Sequence, residues 1–323
     1  MDLRGGIGNW GVAVASCLAF AMCLINFLLS PVEIQPLQYG LCLDSPDSWN
    51  LGRFLSWFLN TILLGIIAFG IYLVNKTYNF ARTTEPVMIT VFLIMASSSP
   101  WFSQSLNTST LLCGVNLLSL TIIFGAYEKK NATQQMFILG VLSGFGGMLQ
   151  YAFLPMGCIY IIWALFMKIL RLKEILAFII GMVSPYWIGL GLGLIHFHQF
   201  HFPSLVPLFG ASQDYSDILF LLGGIGVASL FGILAGFPNA MKLYAGNSRV
   251  NAMNSCITIM GLGSLICILV DYENVPAYVL SLYMCVAVQM ANICALWNIN
   301  YRWTVSVVPA LVYILLFVGN LVL

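Results

Sequence analysis

Long apolar runs, separated by short polar turns, cover most of the chain. Within hydrocarbon, backbone N–H and C=O groups must be paired inside their own segment, so each run is predicted to be a helix. No connection is long enough to hold a soluble domain, and residues 1–323 are therefore interpreted as a single polytopic transmembrane domain. The pattern predicts eleven helices, at residues 10–29, 53–74, 87–102, 110–127, 136–152, 155–170, 175–195, 218–236, 252–270, 276–297 and 303–322.

Composition supports lipid as the surrounding solvent. Hydrophobic residues make up 60% of the chain and charged residues only 7%, whereas a soluble domain carries about 25% charged residues. Such a chain cannot cover a water-facing surface, which predicts an all-α integral membrane protein in contact with membrane lipids. A net charge of +1 without any basic run argues against nucleic acid as a partner.

The placement of charged residues predicts which way the helices run. Lysine and arginine collect in cytoplasmic loops, and with the N-terminus inside, every basic residue except Arg53 falls on that side. Most acidic residues then fall on the opposite side. We therefore predict a cytoplasmic N-terminus and a C-terminus at the outer face. The predicted inner basic residues are Arg4, Lys76, Arg82, Lys129, Lys130, Lys168, Arg171, Lys173, Lys242, Arg249 and Arg302, and the predicted outer acids are Glu33, Asp44, Asp47, Asp214, Asp217, Asp271 and Glu273.

Two predicted outer loops, 30–51 and 196–216, are long enough to carry a functional site. The first loop holds Glu33, Asp44 and Asp47. A carboxylate can take the proton from an acceptor hydroxyl in a transfer reaction. These three acids are therefore the candidate catalytic residues.

Arg53 opens the second predicted helix and departs from the charge rule. A guanidinium at a helix N-terminus suits the phosphate of a lipid, which makes Arg53 the candidate lipid-phosphate-binding residue. The alternative is structural, with the side chain snorkelling to the interface or forming a salt bridge with Asp44 or Asp47.

The second outer loop contains every histidine of the chain, His196, His198 and His201. On an extended segment, His196 and His198 would face the same way, as two metal ligands could. The alternative is an aromatic-rich interfacial loop without a ligand role. The sequence names neither a particular metal nor any cofactor.

Small and polar residues inside the runs indicate how the helices pack. The patterns Gly140-x-x-x-Gly144 and Gly232-x-x-x-Gly236 allow close helix approach, either within the bundle or against a membrane-protein partner. Amide side chains inside the runs are expected to form hydrogen bonds between helices. A polar transport pathway is the alternative, and it is weakened because no ionisable residue lies at mid-depth. The amide residues are Asn60, Asn116, Gln150, Gln289, Asn292 and Asn298.

The order of features in the front half follows a recognisable scheme. An early acid, Glu33, lies in the loop after the first helix, and Ser99-Pro100 ends the third helix. A proline break at Leu154-Pro155 separates two later helices. A pattern of spaced residues then follows, with Arg171, Glu174, Gly181, Pro185 and Tyr186.

Over about residues 1–190, this order resembles the GT-C class of membrane glycosyltransferases. The pattern from Arg171 to Tyr186 is more similar to an uncharacterised family of Bacteroidetes polytopic inner-membrane proteins. The resemblance implies a GT-C-like arrangement of the first seven helices, followed by C-terminal helices in residues 191–323. One departure is the loop at residues 101–109, which has no charge where GT-C enzymes often have a second acid.

The resemblance also implies a function. GT-C enzymes use polyprenyl-phosphate-linked sugars at the outer membrane face, which implies a glycosyltransferase, or a degenerate relative, in bacterial cell-envelope glycan assembly. The first alternative is a non-catalytic subunit or scaffold of an envelope complex in the inner membrane. The second alternative is a transporter.

Overall fold

The structure is a computed structural model, and it describes residues 9–29, 40–49, 51–81, 85–196, 200, 207–208, 219–243, 247–296 and 302–322. All regular structure in these ranges is helical. A single 3-10 turn lies at Pro46–Ser48. The helices are α1 (Asn9–Leu29), α2 (Arg53–Tyr78), α3 (Glu85–Ser97), α4 (Pro100–Ser103), α5 (Thr108–Phe124), α6 (Thr133–Leu149), α7 (Phe153–Phe166), α8 (Leu172–Gly191), α9 (Leu219–Leu243), α10 (Ser248–Val270), α11 (Val275–Leu296) and α12 (Arg302–Val322).

The prediction of an all-helical protein is confirmed, and each predicted run overlaps a helix. The third run is divided into α3 and α4, because Pro100 disfavours helical backbone at the residue before it. Ser99 is accordingly extended, with φ −113° and ψ 135°. Among the described residues, six helices are long and apolar enough to cross a membrane, namely α1, α2, α8, α9, α10 and α11. Eleven crossings and the direction of the chain stay predictions.

Helix α11 is the most deeply buried of the candidate membrane-spanning helices. All of its apolar span, Val275–Cys294, is buried inside the protein, whereas at most 39% of each of the other candidate spans is buried. It packs against α3, α5, α9 and α10. These four helices therefore enclose α11, whereas the largest contact of α6 is with α8.

Polar side chains on α11 are paired with neighbouring helices. Asn116 on α5 donates from Nδ2 to Ser281 Oγ at 2.8 Å. Asn116 Oδ1 in turn accepts the Tyr160 hydroxyl of α7 at 2.6 Å. This chain of bonds ties three helices together, as predicted for amide side chains inside the runs.

A second set of bonds joins α11 to α10. Gln289 donates to Thr258 Oγ1 at 2.8 Å, and Asn292 donates to Asn254 Oδ1 at 2.8 Å. Elsewhere in the bundle, Asn60 on α2 donates to the Phe102 carbonyl of α4 at 2.6 Å. Interhelical hydrogen bonding is thus confirmed for these amides, while Asn298 lies outside the described residues.

Glycines bring α6 and α8 into backbone contact. A Cβ at Gly140 would overlap the Phe178 carbonyl oxygen, and a Cβ at Gly144 would overlap that of Met182. Gly181 of α8 is similarly close to the backbone of α6. The contacting residue numbers increase in the same direction along both helices, from Gly140 with Phe178 to Gly144 with Met182, so α6 and α8 run parallel. The predicted close packing within the bundle is therefore confirmed for Gly140 and Gly144.

The second glycine pair has different surroundings. A Cβ at Gly232 would lie 3.3 Å from the Val286 side chain, and one at Gly236 would meet open space within 4 Å. The same sequence pattern therefore meets backbone at both glycines in α6, but in α9 it meets only a side chain, and only at Gly232.

Candidate functional site at the predicted outer end

The loop at residues 40–49 is fixed to the C-terminal end of α6. Leu41 and Leu43 donate their backbone N–H groups to the carbonyls of Gly147, at 3.2 Å, and Met148, at 3.0 Å. The last turn of a helix has carbonyl groups without intrahelical partners, and this loop supplies donors for two of them. We call the end of the bundle that carries this loop the predicted outer end.

Asp47 is bonded to the first residue of α5. Its Oδ1 accepts the Thr108 backbone N–H at 3.4 Å, and its Oδ2 accepts the Thr108 hydroxyl. A carboxylate at a helix N-terminus is stabilised by the helix dipole. Burial nevertheless raises the pKa of Asp47 above its ordinary value, although both bonds to Thr108 act to lower it.

A second buried acid, Asp271, lies in the short connection between α10 and α11. Its Oδ2 accepts the Asn274 amide at 2.8 Å and the Tyr278 hydroxyl at 3.3 Å. Asn274 Oδ1 accepts the side-chain amide of Gln150, at the end of α6, at 2.7 Å. Asp271 therefore shares the α6 end of the bundle with the loop that carries Asp47.

Asp271 also has the properties of a proton acceptor. The residue is 2% exposed, and within the described residues its Oδ1 has no hydrogen-bond partner. Burial raises the pKa of Asp271 above its ordinary value, outweighing the bonds from Asn274 and Tyr278. A carboxyl group with a raised pKa and a free oxygen is a stronger base than an exposed one.

Other buried polar atoms at this end also lack partners within the described part of the chain. Native proteins pair most buried polar groups, so a concentration of unpaired ones needs a reason such as bound water or a ligand. These atoms are Ser45 Oγ, Ser109 Oγ, Gln150 Oε1 and the Tyr186 hydroxyl.

Arg53 forms a hydrogen bond with the C-terminal end of α1. Its NH2 group donates to the Phe27 carbonyl at 2.6 Å, and its guanidinium lies 5.0 Å from the centre of the Phe27 ring. In the described ranges, ion pairs join Lys168 to Glu128 and Lys173 to Glu174. The salt bridge considered between Arg53 and Asp44 or Asp47 is not formed.

The other predicted site residues have varied positions. Asp44 is exposed, and its backbone carbonyl accepts the Trp49 indole N–H at 3.3 Å. His196 is also exposed, a few residues after α8 ends. Glu33, His198 and His201 lie outside the described residues, so the catalytic role of Glu33 and the histidine metal site stay predictions.

Asp271 was not among the acids predicted to be catalytic. The predicted topology placed it at the outer face, but it lies outside both long loops and was not considered as a site residue. A usable signal is the shortness of its connection, since four residues between two apolar runs cannot carry an acid far from the helix ends. Its partner Asn274 lies in the same connection.

Comparison with known proteins does not assign the chain to a family. No protein-family model and no curated protein matches the chain. The GT-C resemblance and the likeness to an uncharacterised inner-membrane family therefore rest on the sequence patterns alone.

The raised pKa of Asp271 predicts how stability depends on pH. The folded state binds this proton more tightly than the unfolded chain, so its contribution is fully present below the ordinary carboxyl pKa of about 4 and is lost as pH rises through the folded pKa. Asp271→Asn removes this titration. We expect the variant to show a smaller fall in the free energy of unfolding between acid and neutral pH, and to be more stable than wild type at neutral pH. Denaturant unfolding in detergent across that range measures both.

An Asp271→Asn variant that is less stable than wild type at neutral pH would contradict this account. The bonds from Asn274 and Tyr278 would then outweigh the cost of burying the charge.

Proposed function

We propose that the chain is a multi-pass protein of the bacterial inner membrane that transfers a sugar from a polyprenyl-phosphate carrier at its outer face. The supporting observation is the buried carboxyl group of Asp271, with an unpaired oxygen, at the end of the bundle that also holds the Asp47 loop. An inverting transfer needs such a base. The GT-C resemblance supplies the reaction class.

The proposed reaction is a single displacement. The acceptor hydroxyl oxygen forms a bond to the anomeric carbon of the sugar, and its proton goes to a carboxylate. The bond between that carbon and the phosphate oxygen breaks, and polyprenyl phosphate leaves with the electron pair. The candidates for the base are Asp271 and the acids of the first loop, Asp47, Asp44 and Glu33.

The departing phosphate needs positive charge or hydrogen-bond donors to stabilise it. Arg53 is the basic residue predicted at this face, and its present bond to the Phe27 carbonyl would have to be shared or exchanged. A metal held by His196, His198 and His201 is the other proposed source of positive charge.

Co-purification of a lipid tests the proposal. The protein is extracted in mild detergent, and its bound lipids are identified by mass spectrometry against the lipids of the whole membrane. We expect polyprenyl phosphate, or its sugar-loaded form, to be enriched with the protein. Absence of enrichment, together with no transfer from a polyprenyl-phosphate-sugar to any envelope glycan fraction, would reject it.

A non-catalytic subunit or scaffold is the second candidate. It is favoured by the structural use of two predicted site residues, since Asp47 bonds to Thr108 and Arg53 bonds to Phe27. It predicts a stable complex with another membrane protein in native mass measurements. A monomer without any partner would count against it. The paired amides of α11 give a transport pathway no support.

A further inference from the structure

The opposite end of the bundle contains an open cleft between the first turn of α6 and the start of α8. Its volume is about 590 Å³. The polar part of its lining comes from Asn131, Thr133, Gln134 and Gln135. Within the described residues, Gln135 Oε1 is buried and has no hydrogen-bond partner.

The N-terminus of α6, which lies in this cleft, has no side-chain cap. The residue at the cap position is Ala132, which has no side-chain oxygen to accept the free N–H groups of the first turn. No acidic residue lies in that turn. The cleft therefore offers backbone donors to a negatively charged group.

Basic side chains lie next to the cleft, although none is part of its lining. Lys173 donates from Nζ to Asn131 Oδ1 at 2.5 Å, and Arg171 donates to the Lys130 carbonyl at 3.1 Å. Lys129 and Lys130 are exposed on the adjoining turn. Lys168 is paired with Glu128.

Glu128 is offset by Lys168, and one further acid opposes the remaining positive charge. Glu174 is 1% exposed, and its Oε1 lies 3.7 Å from Lys173 Nζ. The net charge next to the cleft remains positive, because four basic residues are not offset by Glu128: Lys129, Lys130, Arg171 and Lys173.

Apolar surface continues from the cleft along both helices. Phe137 and Ile180 line it beside the amides. Next to Ile180 on α8, the exposed side chains of Ile179 and Val183 extend the apolar surface. A free anion would leave this surface unused, whereas a lipid would place its phosphate among the amides and an acyl chain along α8. Basic clefts between membrane helices on the cytoplasmic side bind anionic lipid head groups in this way.

We propose that the cleft between Asn131–Gln135 and the start of α8 binds the phosphate of an anionic glycerophospholipid. The site is independent of the proposed transfer reaction, since it lies at the other end of the helices. Its recognition elements are the α6 N-terminus, the amide side chains and the basic residues of the two adjoining turns.

Lipid binding to the delipidated protein tests this inference. The protein is titrated in detergent with phosphatidylglycerol, with phosphatidylcholine of the same chains, and with inorganic phosphate, and binding is followed by native mass spectrometry. We expect phosphatidylglycerol to bind most tightly. The double variant Lys129→Gln/Lys130→Gln should bind it about tenfold more weakly. Gln134→Trp, which fills the cleft from an exposed position, should also weaken it.

The matched control is Lys76→Gln. Lys76 is an exposed basic residue of α2 at the same predicted side of the membrane, and its substitution should leave binding unchanged. Cooperative thermal unfolding at the wild-type temperature shows that each variant is folded. Equal binding of the two lipids, equal loss in Lys76→Gln, or inorganic phosphate binding as tightly as phosphatidylglycerol would overturn the inference.

Discussion

Gly140→Ala is expected to destabilise the protein severely, although it adds a single methyl group. The new Cβ would overlap the Phe178 carbonyl oxygen and lie 2.9 Å from the Met182 backbone nitrogen. Both obstacles are backbone, so no side-chain rotation can relieve them, and α6 and α8 must separate. Overpacking of a well-packed interior costs about 3 kcal/mol at its upper end. We expect a loss of that size in the free energy of unfolding.

The matched control for this prediction is Gly65→Ala. Gly65 also lies inside a helix, α2, but a Cβ there would meet nothing within 4 Å. Alanine in a helix interior is favoured over glycine by about 0.5–1 kcal/mol, so this variant should be neutral or slightly stabilised. Thermal unfolding in detergent, followed by tryptophan fluorescence, compares the two. Equal stability of both variants would mean that α6 and α8 do not touch through their backbones.

Asp271→Asn is expected to slow the proposed sugar transfer strongly while it stabilises the fold. Asparagine can still accept the bonds from Asn274 and Tyr278, so the geometry of the connection is kept. It cannot take a proton from an acceptor hydroxyl, and loss of a general base lowers the rate by about 10²- to 10⁴-fold. The rate is measured as polyprenyl phosphate released from a polyprenyl-phosphate-sugar donor by the purified protein.

The combination of results separates a catalytic role from a structural one. If Asp271 were only structural, its substitution would lower activity only by lowering the stability of the fold. A catalytic acid, by contrast, often lowers the stability of the fold that holds it, so its substitution can lower activity and raise stability together. Glu273→Gln is the control, because Glu273 is an exposed acid in the same connection. Wild-type activity in Asp271→Asn would remove this residue from the mechanism and leave the acids of the first loop.

The helices could be predicted from the sequence, but their surroundings could not. Apolar runs predict helices because hydrocarbon forces backbone pairing within each segment. The run that becomes α11 looks no different from its neighbours, since lipid and protein interior accept the same side chains. Its complete burial depends on contacts with α9 and α10, which directly precede it, and with α3 and α5, which lie far from it in the chain.

The glycine patterns and the acids show the same limit. Gly140 and Gly232 open identical patterns, yet one meets backbone and the other a side chain at 3.3 Å. Asp47 was predicted from its loop, and Asp271 was missed because its burial arises where α10, α11 and the end of α6 meet. Sequence spacing does not record which helix ends come together.

Accessibility of the two ends in spheroplasts tests the central claim, that the end holding Asp47 and Asp271 faces outward. Asp44→Cys and Lys130→Cys place thiols at exposed positions at opposite ends of the bundle, and the wild-type protein gives the background from native cysteines. A membrane-impermeant maleimide should label Asp44→Cys in intact spheroplasts and Lys130→Cys only after permeabilisation. Labelling of Lys130→Cys alone in intact spheroplasts would contradict the orientation, and with it the proposed outer-face reaction.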